Sequence, residues 1–151
     1  MQTLRNLLNL APLVVLLLAS VMVHAQDSRI TVEVINGKNG KPVRGARLLI
    51  FGGETPQDVK EHAKGSIEIV TDANGIASLA ASSLKFRWIQ VFVDTMTLCQ
   101  HEPNLKSFSV NEITSAGLQT PNTCSSAVRK NTPGEFIVFA RQPTFRERMG
   151  W

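Results

Sequence analysis

Tyrosine is absent from the 151 residues, histidine occurs three times and cysteine twice. Without tyrosine, no phenolate can ligate a metal. One histidine, His24, falls in an N-terminal apolar region, which leaves His62 and His101 for acid–base work. Aromatic residues make up only 6% of the chain, so an exposed ring platform would have to draw on Trp88, Trp151 and the phenylalanines. Charge is sparse and mixed, 16 basic against 12 acidic residues, with no basic stripe. That balance excludes nucleic acid as the expected partner. No nucleophile-elbow motif occurs, and there is no repeat or low-complexity tract. The 43% apolar content with 10 Gly and 7 Pro is that of a globular chain.

The longest apolar run, Leu10–Val23, has 14 residues, interrupted only by Pro12 and Ser20. It is short of the roughly 20 residues that span a bilayer as a helix. Arg5 precedes it as the one charged side chain before Asp27, and Val23-His24-Ala25 places small residues at the −3 and −1 positions. This is the pattern of an export signal, with cleavage expected after Ala25. The expected division is a signal at 1–25, a domain at 26–140 and a tail at 141–151. The destination is the periplasm or the medium, with membrane contact only through the signal before cleavage.

Both cysteines, Cys99 and Cys124, lie beyond the signal. An even count in an exported chain reads as one disulfide. Cys99-x-His101 lacks a zinc spacing, so no metal and no cofactor is expected.

Alternating or apolar segments separated by turn residues follow the signal. They predict strands at 30–34, 46–51, 67–70, 76–79, 88–93, 108–110 and 135–140. Residues 52–66 read as a long loop with one helical turn at 58–64. A short helix is expected over 111–116, with Asn111 as its N-cap and Gly117 at its end. Seven short strands without helical periodicity predict an all-β, antiparallel, Greek-key sandwich. The expected core is Ile30, Val32, Val34, Leu48, Ile50, Ile67, Ile69, Leu79, Ile89, Val91, Val93, Ile137 and Phe139, with Trp88 also inside.

Two turn segments carry a resemblance. Asn39-Gly40-Lys41-Pro42-Val43-Arg44-Gly45-Ala46, followed by Thr71-Asp72-Ala73-Asn74-Gly75, is similar to the carboxypeptidase regulatory-like, or prealbumin (transthyretin)-like, domains of exported bacterial proteins. The resemblance covers Ile30 to Leu79 and implies a seven-stranded Greek-key sandwich that is itself non-catalytic. Bacterial immunoglobulin-like domains share a "DANG" turn and offer a rival topology within the same class. In this reading the first motif joins strands one and two, and the second is a hairpin turn using Asn and Gly for left-handed backbone. Enzymes of related architecture are not matched. The chain lacks the terminal "YRGS" of hydroxyisourate hydrolases and the tyrosine ligands of intradiol dioxygenases.

Three further patterns are candidates. Asp72 and Asn74 resemble the start of a calcium loop, but Ser83 stands where its closing Glu would be, so a turn is the expectation. Ser66, Asp58 and Glu61 near His62, and Asp94 and Glu102 near His101, do not make a triad pattern. The tail gathers Arg141, Phe145, Arg146, Arg148 and Trp151, residue types enriched at interfaces. It is either a docking segment for an envelope protein, a polysaccharide or an anionic surface, or a strap packing Phe145 and Trp151 on the sandwich. The functional expectation is a non-catalytic binding or structural module of the envelope. The alternatives are a glycan-binding module and a small secreted hydrolase.

Overall fold

The structure is a computed structural model and describes residues 29–62, 65–100 and 106–149. The segment expected to be an export signal, its expected cleavage motif, His101, Glu102, Trp151 and the side chain of His62 lie outside that description. The strands are β1 (Arg29–Asn36), β2 (Arg47–Gly53), β3 (Ser66–Val70), β4 (Ile76–Ala80), β5 (Trp88–Val93), β6 (Thr97–Leu98), β7 (Phe108–Ser109), β8 (Leu118–Gln119) and β9 (Glu135–Arg141). Three short helices join them, α1 (Pro56–His62), α2 (Val110–Ala116) and α3 (Phe145–Arg148).

One sheet runs β4-β1-β9-β6, with β8 also on β9, and the other runs β3-β2-β5-β7. The all-β sandwich is therefore present, and every expected strand is found. The two unexpected strands, β6 and β8, have two residues each, too few to show a period. The pairing is not wholly antiparallel. β1 and β9 run parallel with Val34 opposite Val138, and β8 is parallel to β9. A parallel neighbour requires a long crossover. Here nearly the whole chain separates the first long strand from the last.

That central position buries β9 on both faces. Phe136, Val138 and Ala140 join Ile30, Val32, Val34, Leu48 and Ile50 between the sheets. Ile137 and Phe139 point the other way, into a second cluster with Ile35 and Cys99. Ile137 and Phe139 are thus buried as expected, but in the second cluster, and the β9 residues between the sheets are Phe136, Val138 and Ala140. Five consecutive apolar residues, Phe136 to Ala140, give alternation nothing to act on. Ile67 and Ile69 are only half-buried because β3 is an edge strand.

The segment expected as a loop is more ordered. Gly52 and Gly53 extend β2, and α1 begins at Pro56, which suits a first helical position. Thr55 and Asp58 cap it reciprocally, each backbone N–H donating to the other's side-chain oxygen. Val59 is buried against Gly53, where a Cβ would lie 2.9 Å from the Val59 nitrogen. Only glycine lets α1 approach the strand this closely. The N-cap of α2 is Ser109 rather than Asn111, whose carbonyl instead accepts from the Thr114 and Ser115 hydroxyls. Gly117 ends α2 at φ 77°, as its position implied.

The two turn motifs interlock. Thr71 Oγ1 accepts from the Ala46 N–H at 2.8 Å and donates to the Val43 carbonyl at 2.7 Å. The Thr71 backbone binds Gly45 and Ala46, and the Gly75 carbonyl accepts from Val34. The second motif is not a hairpin turn, because β3 and β4 belong to different sheets. It is a corner that carries the chain from one sheet to the other. Gly40, Gly45 and Gly75 take positive φ there, and no asparagine does. Thr71→Val should cost about 1–3 kcal/mol, since it leaves the Ala46 N–H without its acceptor. Urea unfolding measures this, and an unchanged midpoint would count against the interlock.

Candidate functional site

The cysteines form the expected disulfide, with Cα atoms 5.4 Å apart. The bridge fastens a strap, residues 118–131, which begins as β8 at the edge of β9 and continues so that Cys124 packs on the Ile35, Ile137 and Phe139 cluster. Thr120 Oγ1 accepts from the Phe139 N–H at 2.8 Å. The Asn122 amide donates to the Gly37 carbonyl and to that of Ala127, and the Ser125 hydroxyl also donates to Gly37. A Cβ on Gly37 would lie 2.5 Å from the Cys99 sulfur. The glycine is needed here for space, not for its φ.

The Asp72 carboxylate is occupied by the turn, accepting from the Asn74 and Ile76 N–H groups at 2.8 and 2.9 Å. This is the geometry of an Asx turn. Among the described residues, no three His, Cys, Asp or Glu side chains gather to hold a metal ion. No helix among them is long and apolar enough to cross a membrane.

The tail has a defined geometry. β9 takes in Arg141, which pairs with Thr97 of β6. Pro143 breaks the strand, and Thr144 caps α3 in a capping box with Glu147. The Glu147 carboxylate then grips Arg141 with both oxygens, at 2.7 and 2.5 Å, and accepts from the Thr144 N–H at 2.6 Å. The Arg141 guanidinium first, and Thr144 second, hold the Glu147 carboxyl far below the usual carboxylate range. The same bond raises the Arg141 pKa.

Arg141 is consequently a structural clamp, with its charge paired to Glu147. Arg146 and Arg148 are exposed. Phe145 is 74% exposed and Met149 57%. Phe145 does not pack on the sandwich, so for this residue the strap expectation fails. Phe145 and Met149 are four apart and share one side of the turn. The strap that this fold does possess is 118–131, which no periodicity or motif announced.

The clamp has a defined pH response. A free Glu ionises near pH 4.3. Because folding lowers the pKa of Glu147, its contribution is complete above that value and declines only as pH falls below it. The order of α3 is therefore expected to persist at pH 5 and above and to fade in stronger acid. In Glu147→Ala, which removes both the ion pair and the reciprocal cap, it should be lost at every pH without a change in the global unfolding midpoint. Amide exchange of the α3 N–H groups reads both effects, and equal protection in the variant would contradict the clamp.

A groove lies at the other end of β5. Trp88 opens that strand between Gly53 and Ser109, and it is half-buried where full burial was expected. With Phe86, Arg87, Ser109, Asn111 and Thr114 it lines a cavity of about 560 Å³. Phe86 rests on Gly52, where a Cβ would come within 2.0 Å of the ring.

No protein-family model matches the chain, and no curated protein matches it. Among solved structures, it is similar to the full-length major pilin SpaD from Corynebacterium diphtheriae, with a TM-score of 0.46 and 15% identity. The likeness covers 78% of this chain and 32% of the pilin chain, so the chain spans about a third of that protein.

Proposed function

We propose that the chain is an exported, non-catalytic binding module of the cell envelope, periplasmic or secreted, and that α3 is its docking element. The observation that carries this reading is the clamped tail. Phe145 and Met149 stand in water on a turn fixed by its own capping box and by the Arg141–Glu147 pair. An apolar pair held in one conformation loses little entropy on binding. Arg, Met and aromatic residues are also those enriched at interface centres. The Cys99–Cys124 disulfide supports an oxidising compartment. The interlock of the 39–46 and 71–75 motifs supports the carboxypeptidase regulatory-like reading, because the residues that carry the resemblance act as one structural unit.

The test is a crosslinking capture from native envelopes, comparing the full chain with one ending at Gln142. That endpoint spares Arg141 and its pairing with β6. The expected result is an envelope protein captured by the full chain alone. Equal capture by both chains, or none by either, would refute the docking role.

A further inference from the structure

The groove at Phe86 and Trp88 is separate from the tail and does not depend on the docking role. We propose that it binds an acidic saccharide, a chain of pyranose rings bearing carboxylates. Two aromatic side chains within three residues line it. Trp88 remains half-open there, although its neighbours Ile89 and Gln90 are sealed. A partly exposed indole offers apolar surface that can stack on the C–H face of a sugar.

Polar lining comes from β7 and α2. Ser109, Asn111 and Thr114 carry hydroxyl or amide groups that both donate and accept. The Thr114 hydroxyl gives its proton to the Asn111 carbonyl at 3.0 Å, which leaves its oxygen able to accept from a ligand hydroxyl. This inventory matches the dense hydroxyls of a saccharide.

Charge selects the acidic kind. Of the eight lining residues, Arg87 is the charged one, and none is acidic. Its partner Glu54 lies 3.7 Å away, and both side chains are largely in solvent, at 82% and 65% exposure. Such a pair contributes little. The guanidinium is therefore able to take a ligand carboxylate through two parallel bonds. The cavity volume lies within the range of about 300–1,000 Å³ typical of ligand sites. An acidic peptide would satisfy Arg87 but would make less use of the ring faces and the hydroxyl set, so the saccharide is the better fit.

The chain has two tryptophans, so Trp151→Phe leaves Trp88 as the single fluorophore. That variant is titrated with oligogalacturonate, with an uncharged oligogalactose and with an oligoglutamate peptide. A saturable change in Trp88 emission is expected with oligogalacturonate. Affinity should fall about tenfold or more for the uncharged sugar, and by a similar factor for oligogalacturonate when Arg87→Glu is added. Arg87 is exposed, so the added change leaves the fold intact, which circular dichroism verifies. No emission change up to about 1 mM oligogalacturonate would overturn the proposal. So would equal or tighter binding of oligoglutamate, which would mark a peptide site, or an affinity indifferent to Arg87→Glu.

Discussion

Phe136→Ala is expected to lower the free energy of unfolding by about 3–5 kcal/mol. Phe136 is fully buried near the start of β9, flanked by β1 on one side and β8 on the other. Its ring meets Phe108 with centroids 4.9 Å apart and planes tilted by 55°. Phe108 belongs to the opposite sheet, so this pair couples the two layers of the sandwich. Truncation removes the apolar contacts and leaves a void that close-packed strands fill poorly. Aromatic pairs add roughly 0.5–1.5 kcal/mol beyond burial. A double-mutant cycle with Phe108→Leu should therefore show coupling of that order. Urea unfolding of the single variant is decisive, and a loss below about 1 kcal/mol would contradict the placement of Phe136 between the sheets.

Removal of the disulfide is the second large effect. Cys99 and Cys124 close a loop with a sequence separation of 25 residues. Chain entropy alone gives about 3.5 kcal/mol for such a loop. The structural consequence is specific. The bridge holds the 118–131 strap over Ile35, Ile137 and Phe139, which form a buried cluster with Cys99 outside the main core. The Cys99→Ser, Cys124→Ser double variant should lose global stability and also open that strap to protease. Protection of the Phe139 N–H, which donates to Thr120 Oγ1, should fall with it. An unchanged midpoint with undiminished strap protection would show that the side-chain bonds of Asn122 and Ser125 suffice without the bridge.

These two effects fall where the sequence was least and most legible. The cysteine pair was readable from its even count and the export signal expected at 1–25. β1 was readable from alternation, β2 and β5 from their apolar runs, and a turn at Thr71–Gly75 from its residues, although its role as a corner between sheets rather than a hairpin was not. The face of β9 was not, because a strand buried on both sides has no apolar period. The β1–β9 parallel pairing was hidden for a related reason, since adjacency between the chain's two ends leaves no local mark. α1 did carry a signal in Thr55-Pro56-x-Asp58, a cap followed by a helix-starting proline. Ser109-x-x-Glu112 likewise had the spacing that identifies the true N-cap of α2.

The candidate site divides in the same way. Composition marked the tail as unusual but could not separate Arg141, which is consumed by Glu147, from Arg146 and Arg148, which are exposed. The distinction rests on the capping box at Thr144, whose Thr-x-x-Glu spacing was present in the sequence. The groove was hidden because Trp88 begins a convincing strand, and strand position alone does not reveal that β7 is only two residues long beside it.

The central claim is that α3 meets a partner through Phe145. It is tested most directly by placing a photo-crosslinking amino acid at position 145 in cells and irradiating intact envelopes. Position 128 is the control, since Val128 is an exposed apolar residue at 80%, comparable to Phe145 at 74%, but lies on the strap. The account predicts a discrete adduct from position 145, absent from position 128 and lost when Glu147→Ala releases the clamp. Adducts of equal yield from both positions, or none from position 145, would contradict it.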